Sequence, residues 1–186
     1  MSGIAVEERT LEGDPVGGLV RAVEESGGTL LAVGSHGTSR AGGIIAGSVA
    51  TAIAHHPRCS VVIARVPTPG RRVASKVAVG VDGSASSLRA LAVAQLAADR
   101  IGAALLPVSA RGAALDLADL PAETAAGLRI DERDPVTALL AAADESDLLV
   151  VGARGLSGLR ALGSVSERVA HRAPVSVLVA YEGEGA

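Results

Sequence analysis

The residues best placed for chemistry are two glycine-rich blocks and one aspartate. The first block reads Gly34-x-x-Gly37, nine further residues, then Gly47-Ser48. The second reads Gly152-x-x-Gly155, only seven further residues, then Gly163-Ser164. Glycine lets backbone approach a ligand closely and take positive φ. A helix opening at Gly-Ser presents unpaired N–H groups and the positive end of its dipole, a combination that favours phosphate. Asp82, in Val81-Asp82-Gly83-Ser84, closes an apolar run and supplies a carboxylate. As an Asp-Gly turn residue it has a purely structural reading too. His36 and Arg154 occupy matching positions in the two loops. Arg154, always charged, is the better phosphate partner, although a solvated loop tip is the commoner fate of such a residue.

Two better-known phosphate motifs do not fit. Gly158 to Ser164 has P-loop glycine spacing but no lysine before the serine, and Gly152-x-x-Gly155-x-x-Gly158 is not GxGxxG. No Ser/His/Asp or Cys/His arrangement emerges from spacing. His55 and His171 correspond across the repeat, without a further ligand at metal spacing, so packing or exposure is expected of them and of the His55-His56 pair, and no metal. Lone Cys59 sits in an apolar run, reads as a small buried hydrophobe, and fits a reducing cytosol.

The blocks belong to a longer internal repeat. Leu30 to Ala64 parallels Leu148 to Ala180, and Asp14-Pro15-Val16 recurs as Asp134-Pro135-Val136. Val77 to Val81 is a continuous apolar run, the signature of a strand buried on both faces of a parallel sheet. Ser86 or Ser87 is the expected cap of a helix continuing to about Arg100. Further strands are expected at Leu105 to Ser109, Leu128 to Arg133, Leu148 to Val151 and Val175 to Ala180. A weak helix interrupted at Pro121 lies between the second and third of the five. Asp134-Pro135 starts a helix as N-cap plus N1 proline, and Ser164 opens the last one. Strands alternating with helices imply βαβ units, an α/β fold with a doubly wound parallel sheet of order 3-2-1-4-5. Residues 77–186 form that complete unit, residues 67–76 a linker, and residues 1–66 a partial copy lacking the first two strands. In the copy, strands are expected at Ile4 to Arg9, Leu30 to Val33 and Val61 to Ala64. Ile4–Arg9 is expected to pair with Leu30–Val33 and relieve its open edge, unless another chain fills the gap. Val61–Ala64 is expected antiparallel to Val175–Ala180.

Composition narrows the partners. The 186 residues contain no Phe, no Trp and one Tyr, and the net charge is -3. Base stacking on aromatic platforms and duplex binding through a basic face are thereby disfavoured. The first eight residues lack a signal-peptide pattern, and no apolar run approaches a membrane span. A soluble cytoplasmic protein is expected, with neither nucleic acid nor membrane as partner.

Three blocks in this order, VAVGVDGSASSLRAL (77–91), DLLVVGARGLSG (147–158) and GSVSERVAHRAPVSVLV (163–179), resemble the universal stress protein family. Residues 75–181 match a whole domain of that kind and residues 4–65 its latter half. The resemblance implies ATP or AMP as ligand and pairing of units through their last strands, within the chain or in a homo-oligomer. It places Asp82 and Val108 at the adenine and ribose, and Gly152, Gly155, Gly163 and Ser164 at the phosphates; Arg154, by its loop position, and Val165 complete the expected nucleotide-binding set. Gly34, Gly37, Gly47 and Ser48 are the weaker counterparts in the first unit, which lacks the Asp-Gly-Ser strand and hence an adenine pocket. The second loop is two residues short, equivalent to about 200° of helix. Either Gly163-Ser164 turns away from the phosphate or the helix starts earlier.

The function expected is a nucleotide-binding stress-response module that alters protein association. The alternative is a scaffold of the same fold that binds no nucleotide. An enzyme is not expected: no general base is placed for hydrolysis, though slow ATP turnover stays open.

Overall fold

The computed structural model describes residues 5–35, 47–55, 59–66, 75–153 and 163–181. They form one seven-stranded sheet flanked by helices on both faces. In chain order the elements are α1 (Pro15–Ser26), β1 (Leu30–Gly34), α2 (Ser48–His55), β2 (Ser60–Ala64), β3 (Lys76–Gly80), α3 (Ala85–Ile101), β4 (Ala104–Ala110), a 3₁₀ turn (Leu117–Asp119), α4 (Ala122–Gly127), β5 (Arg129–Asp131), α5 (Pro135–Asp144), β6 (Leu148–Gly152), α6 (Ser164–Arg172) and β7 (Ser176–Ala180). The sheet order is β1-β2-β7-β6-β3-β4-β5, parallel throughout except for the antiparallel β2–β7 pair. From β5 to β7 this is the doubly wound 3-2-1-4-5 order.

The helices begin where the sequence supplies caps. Asp14 accepts from Gly17 N at 2.7 Å, and Asp134 accepts from Val136 N and Thr137 N, each just ahead of a proline. At α3 the cap is Ser84, which accepts from Ser87 N, and not Ser86 or Ser87. The helix starts two or three residues earlier than expected because the Asp82-Gly83 turn already points the chain into it.

Alanines at Ala90, Ala94 and Ala98 of α3, and at Ala138, Ala142 and Ala143 of α5, are fully buried and bring both helices close to the sheet. This close packing substitutes for aromatic bulk. Helices α3 and α4 cover one face; α1, α2, α5 and α6 cover the other.

The expected N-terminal strand is not formed. Residue 4 lies outside the described residues, residues 5–12 have no strand structure, and their side chains are exposed. Glu7, Glu8, Arg9 and Glu12 crowd this stretch, and solvation of these charges, with an exposed Arg9–Glu7 ion pair at 2.7 Å, outcompetes a place on a sheet edge. Among the described residues β1 therefore pairs with β2 alone. Its Leu30 is 54% exposed, whereas the repeat counterpart Leu148 packs against the α3 side of the core.

Strands β2 and β7 meet in a local two-fold arrangement. Val62 pairs with Leu178, its own counterpart in the repeat, and Val61↔Val179 and Ile63↔Val177 flank it. Ser176 Oγ accepts from Arg65 N at 3.0 Å, and Ser60 Oγ accepts from Tyr181 N at 3.2 Å, the same bond made reciprocally. The Arg65 guanidinium donates to the Ala170 and His171 carbonyls, closing the C-terminal end of α6, where a cation is favoured. Burial lowers the Arg65 pKa.

Replacing either serine removes one hydrogen bond that leads out of the strand pair. Ser60→Ala and Ser176→Ala should each cost about 1 kcal/mol, read as a lower urea midpoint at unchanged slope.

Candidate functional site

Strands β3 and β6 are neighbours, but β3 runs into α3 on one face and β6 leads to α6 on the other. Such a switch point leaves a crevice at the carboxyl ends of the strands. Here it is a cleft of ≈ 350 Å³. Gly80, Val81 and Val108 form its floor, Asp82 stands on one lip, and Gly152 and Gly163 stand on the other.

The first lip is an Asx turn. Asp82 Oδ1 accepts from Ser84 N at 3.0 Å and from Ser84 Oγ at 2.6 Å, while Asp82 N donates to Ser87 Oγ. Asp82 stays exposed, and one of its two oxygens is committed to this turn. Gly83 follows at φ +84°, and a Cβ there would sit 2.5 Å from Ala114 O, so glycine is required on both counts.

The second lip depends on Gly152. A Cβ at this position would lie 2.4 Å from Ser86 O and 2.7 Å from Ser86 C. The end of β6 thus runs against the opening turn of α3 with no room for any side chain. Ser166 Oγ donates to Gly152 O at 2.8 Å and ties α6 to the same point. Gly163 is the N-cap residue of α6, and among the described residues no side chain caps the helix. Val165 and Ser166 of its first turn line the cleft. These are the features of an anion site.

Asp82, Val108, Gly152, Gly163 and Val165, singled out from the sequence, therefore share one cleft. Ser164 does not line it and is exposed. Ser166 lines it instead, since residues two apart on a helix are turned by about 200°. The shorter second loop is not offset by an earlier helix start: α6 opens directly after Gly163, as α2 does after Gly47. Arg154 and Gly155 lie outside the described residues, as do His36, Gly37 and His56. Spacing alone missed Ser166 and Arg111; the N2 or N3 position of a helix that opens on glycine is the signal that points to the serine.

Gly34, Gly47 and Ser48 lie in the first unit, away from this cleft. Gly47 N donates to Ser35 O at 2.7 Å and is satisfied there without a ligand. In the second unit Gly163 N has no such partner among the described residues.

The remaining chemical candidates are structural. Cys59 is buried, and burial pushes its thiol up, away from the thiolate. His55 Nε2 stands 3.6 Å from Glu167 Oε1 and links α2 to the first turn of α6. No group of three or more His, Cys, Asp or Glu able to hold a metal occurs among the described residues. No helix among them is long and apolar enough to cross a membrane.

Gly152→Ala should separate β6 from α3 and lower stability by about 1–3 kcal/mol, the usual cost of forcing a methyl into filled space. Gly127→Ala, with nothing within 4 Å of the added carbon, is the matched control and should be close to neutral. Thermal melts of the two variants provide the comparison.

A family model described as the universal stress protein family matches residues 1–65 and 113–180. The stretch between, which carries Asp82 and Val108, is outside the match, so those two residues rest on geometry. A universal stress protein of Mycobacterium tuberculosis is 33% identical, across 82% of this chain and 61% of the relative. Another from the same organism is 38% identical, across 56% of this chain and 94% of its own length. The solved structure of a universal stress protein from Archaeoglobus fulgidus superposes with a TM-score of 0.69 at 26% identity, covering 90% of this chain and 66% of that one. The chain thus spans 61% of the length of the first of these relatives. On the family match and the first of these identities, the chain belongs to the universal stress protein family.

Proposed function

We propose that the cleft between β3 and β6 binds an adenine nucleotide, ATP or AMP, and that the bound state changes how the protein associates with others during stress. One observation carries the reading. A carboxylate lip and an uncapped helix N-terminus face each other across a single cleft at the switch point of the sheet.

In this reading the phosphates lie at Gly163 and the first turn of α6, with Ser166 and the backbone of Gly152 beside them. The ribose hydroxyls lie at the Asp82 carboxylate on the facing lip. The base lies toward β4, on Val108, whose carbonyl already accepts from Val81 N at 2.9 Å. Binding, not turnover, is the proposed activity. The outer edge of β7 is already covered by β2, so the association it modulates uses other surfaces. The alternative of a scaffold without nucleotide draws on the Asx turn, which gives Asp82 a structural task of its own.

Calorimetric titration of ATP and AMP tests the reading. The wild type should bind both, and Asp82→Ala should bind about tenfold or more weakly, the usual loss for a hydrogen bond to a charged group. Asp82→Asn, which keeps the turn acceptor but not the charge, separates ligand contact from turn damage and should also bind weakly. Absence of heat in the wild type favours the scaffold. Undiminished binding by both variants removes Asp82 from the site.

A further inference from the structure

Among the described residues lining the cleft, the charged side chains are Asp82 and Arg111. Arg111 follows the last residue of β4 and is held by its backbone on both sides. Arg111 N donates to Asp131 O at 2.9 Å, and Ala113 N donates to Ala110 O at 3.2 Å, closing a turn around it. Gly112 in that turn has φ +85°, which sends the chain away just past Arg111 and leaves the arginine at the rim.

Asp131, one strand over, is taken by Arg133, whose Nε and Nη2 reach its oxygens at 2.8 and 2.5 Å and hold the carboxyl at about 2. Asp82 Oδ1 is bonded within its own turn. The Arg111 side chain forms no ion pair or hydrogen bond among the described residues.

Position says which part of a ligand it meets. β4 and β6 flank β3 on opposite sides. At the usual strand spacing their ends stand about 10 Å apart. A nucleotide whose phosphate rests on α6, beyond β6, therefore brings its base to β4. Among the described residues lining the cleft none carries an aromatic ring: Phe and Trp are absent from the sequence, and Tyr181 does not line it. The described walls there are aliphatic, and among the described lining residues the planar, delocalised group is the Arg111 guanidinium. Such a plane stacks on a purine face, whereas an ammonium does not.

Resting on the nucleotide reading above, we propose that Arg111 is the base-contacting residue of the cleft, its guanidinium stacking on the purine in place of an aromatic side chain. It determines affinity for the base and is indifferent to the number of phosphates.

The test is a calorimetric series with adenosine, AMP and ATP on the wild type, Arg111→Ala, Arg111→Lys and Arg111→Tyr. The alanine variant should lose a common factor for all three ligands, about 3- to 30-fold, with an unchanged melting temperature. Lysine should not restore binding; tyrosine, planar and uncharged, should restore part of it. A loss that grows from adenosine to ATP and is rescued by lysine would show a phosphate contact and overturn the proposal. Equal affinities for wild type and Arg111→Ala would overturn it as well, leaving Arg111 a solvated tip. If the wild type binds none of the three, the nucleotide reading itself fails, a result distinct from either.

Discussion

The close approach of β6 to α3 at Gly152 is the contact on which the cleft depends. Two backbones meet there, and any side chain would collide with the Ser86 carbonyl. Because they meet, the Asp82 turn, the start of α3 and the start of α6 all open at one edge of the sheet. Ser166 locks the arrangement by donating to the Gly152 carbonyl, so α6 cannot move away independently of β6. A wider side chain on β6 would leave both helices intact and still separate the two lips. The small-residue character of the chain serves the same end: alanine faces on α3 and α5 let the helices sit low on the sheet and leave the strand ends uncovered.

The first unit contributes shape more than chemistry. Its helix α2 begins at the position equivalent to α6, but Gly47 N is spent on Ser35 O, and no Asp-Gly-Ser strand faces it. What it does supply is β2, which covers the outer strand of the second unit, and Arg65, which closes the far end of α6. The reciprocal Ser60 and Ser176 bonds make this seam two-fold in all but sequence. One helix, α6, is thereby held at both ends, by Ser166 at the cleft and by Arg65 beyond the seam.

Much of the fold was legible in the sequence, and the reasons are local. The apolar runs of β3, β6 and β7 read as strands because both their faces are buried, and the Asp-Pro pairs marked the starts of α1 and α5. The doubly wound order implied by alternating strands and helices places Asp82 and Gly152 at the ends of neighbouring strands, as β3 and β6 are. Where the reading failed, the deciding forces were not periodic. Residues 5–12 have apolar members, yet their charge density keeps them in water. The cap fell on Ser84 instead of Ser86 or Ser87 because a turn geometry, not a residue preference, sets where α3 begins. Ser166 replaced Ser164 because helix phase is fixed by the contact with Gly152, which leaves no mark in spacing. Arg111 leaves no mark in spacing for a similar reason, since its place at the cleft comes from a turn and from the bond of its N–H to the Asp131 carbonyl of β5.

The cleft itself is best tested by following backbone amide shifts in NMR spectra while AMP is added. The account predicts shifts at residues 82–87, 108–114, 151–153 and 163–167, with the equivalent amides at the start of α2, residues 47–49, unchanged. Shifts centred on α2 or on the β2–β7 seam, or none at millimolar nucleotide, would contradict it.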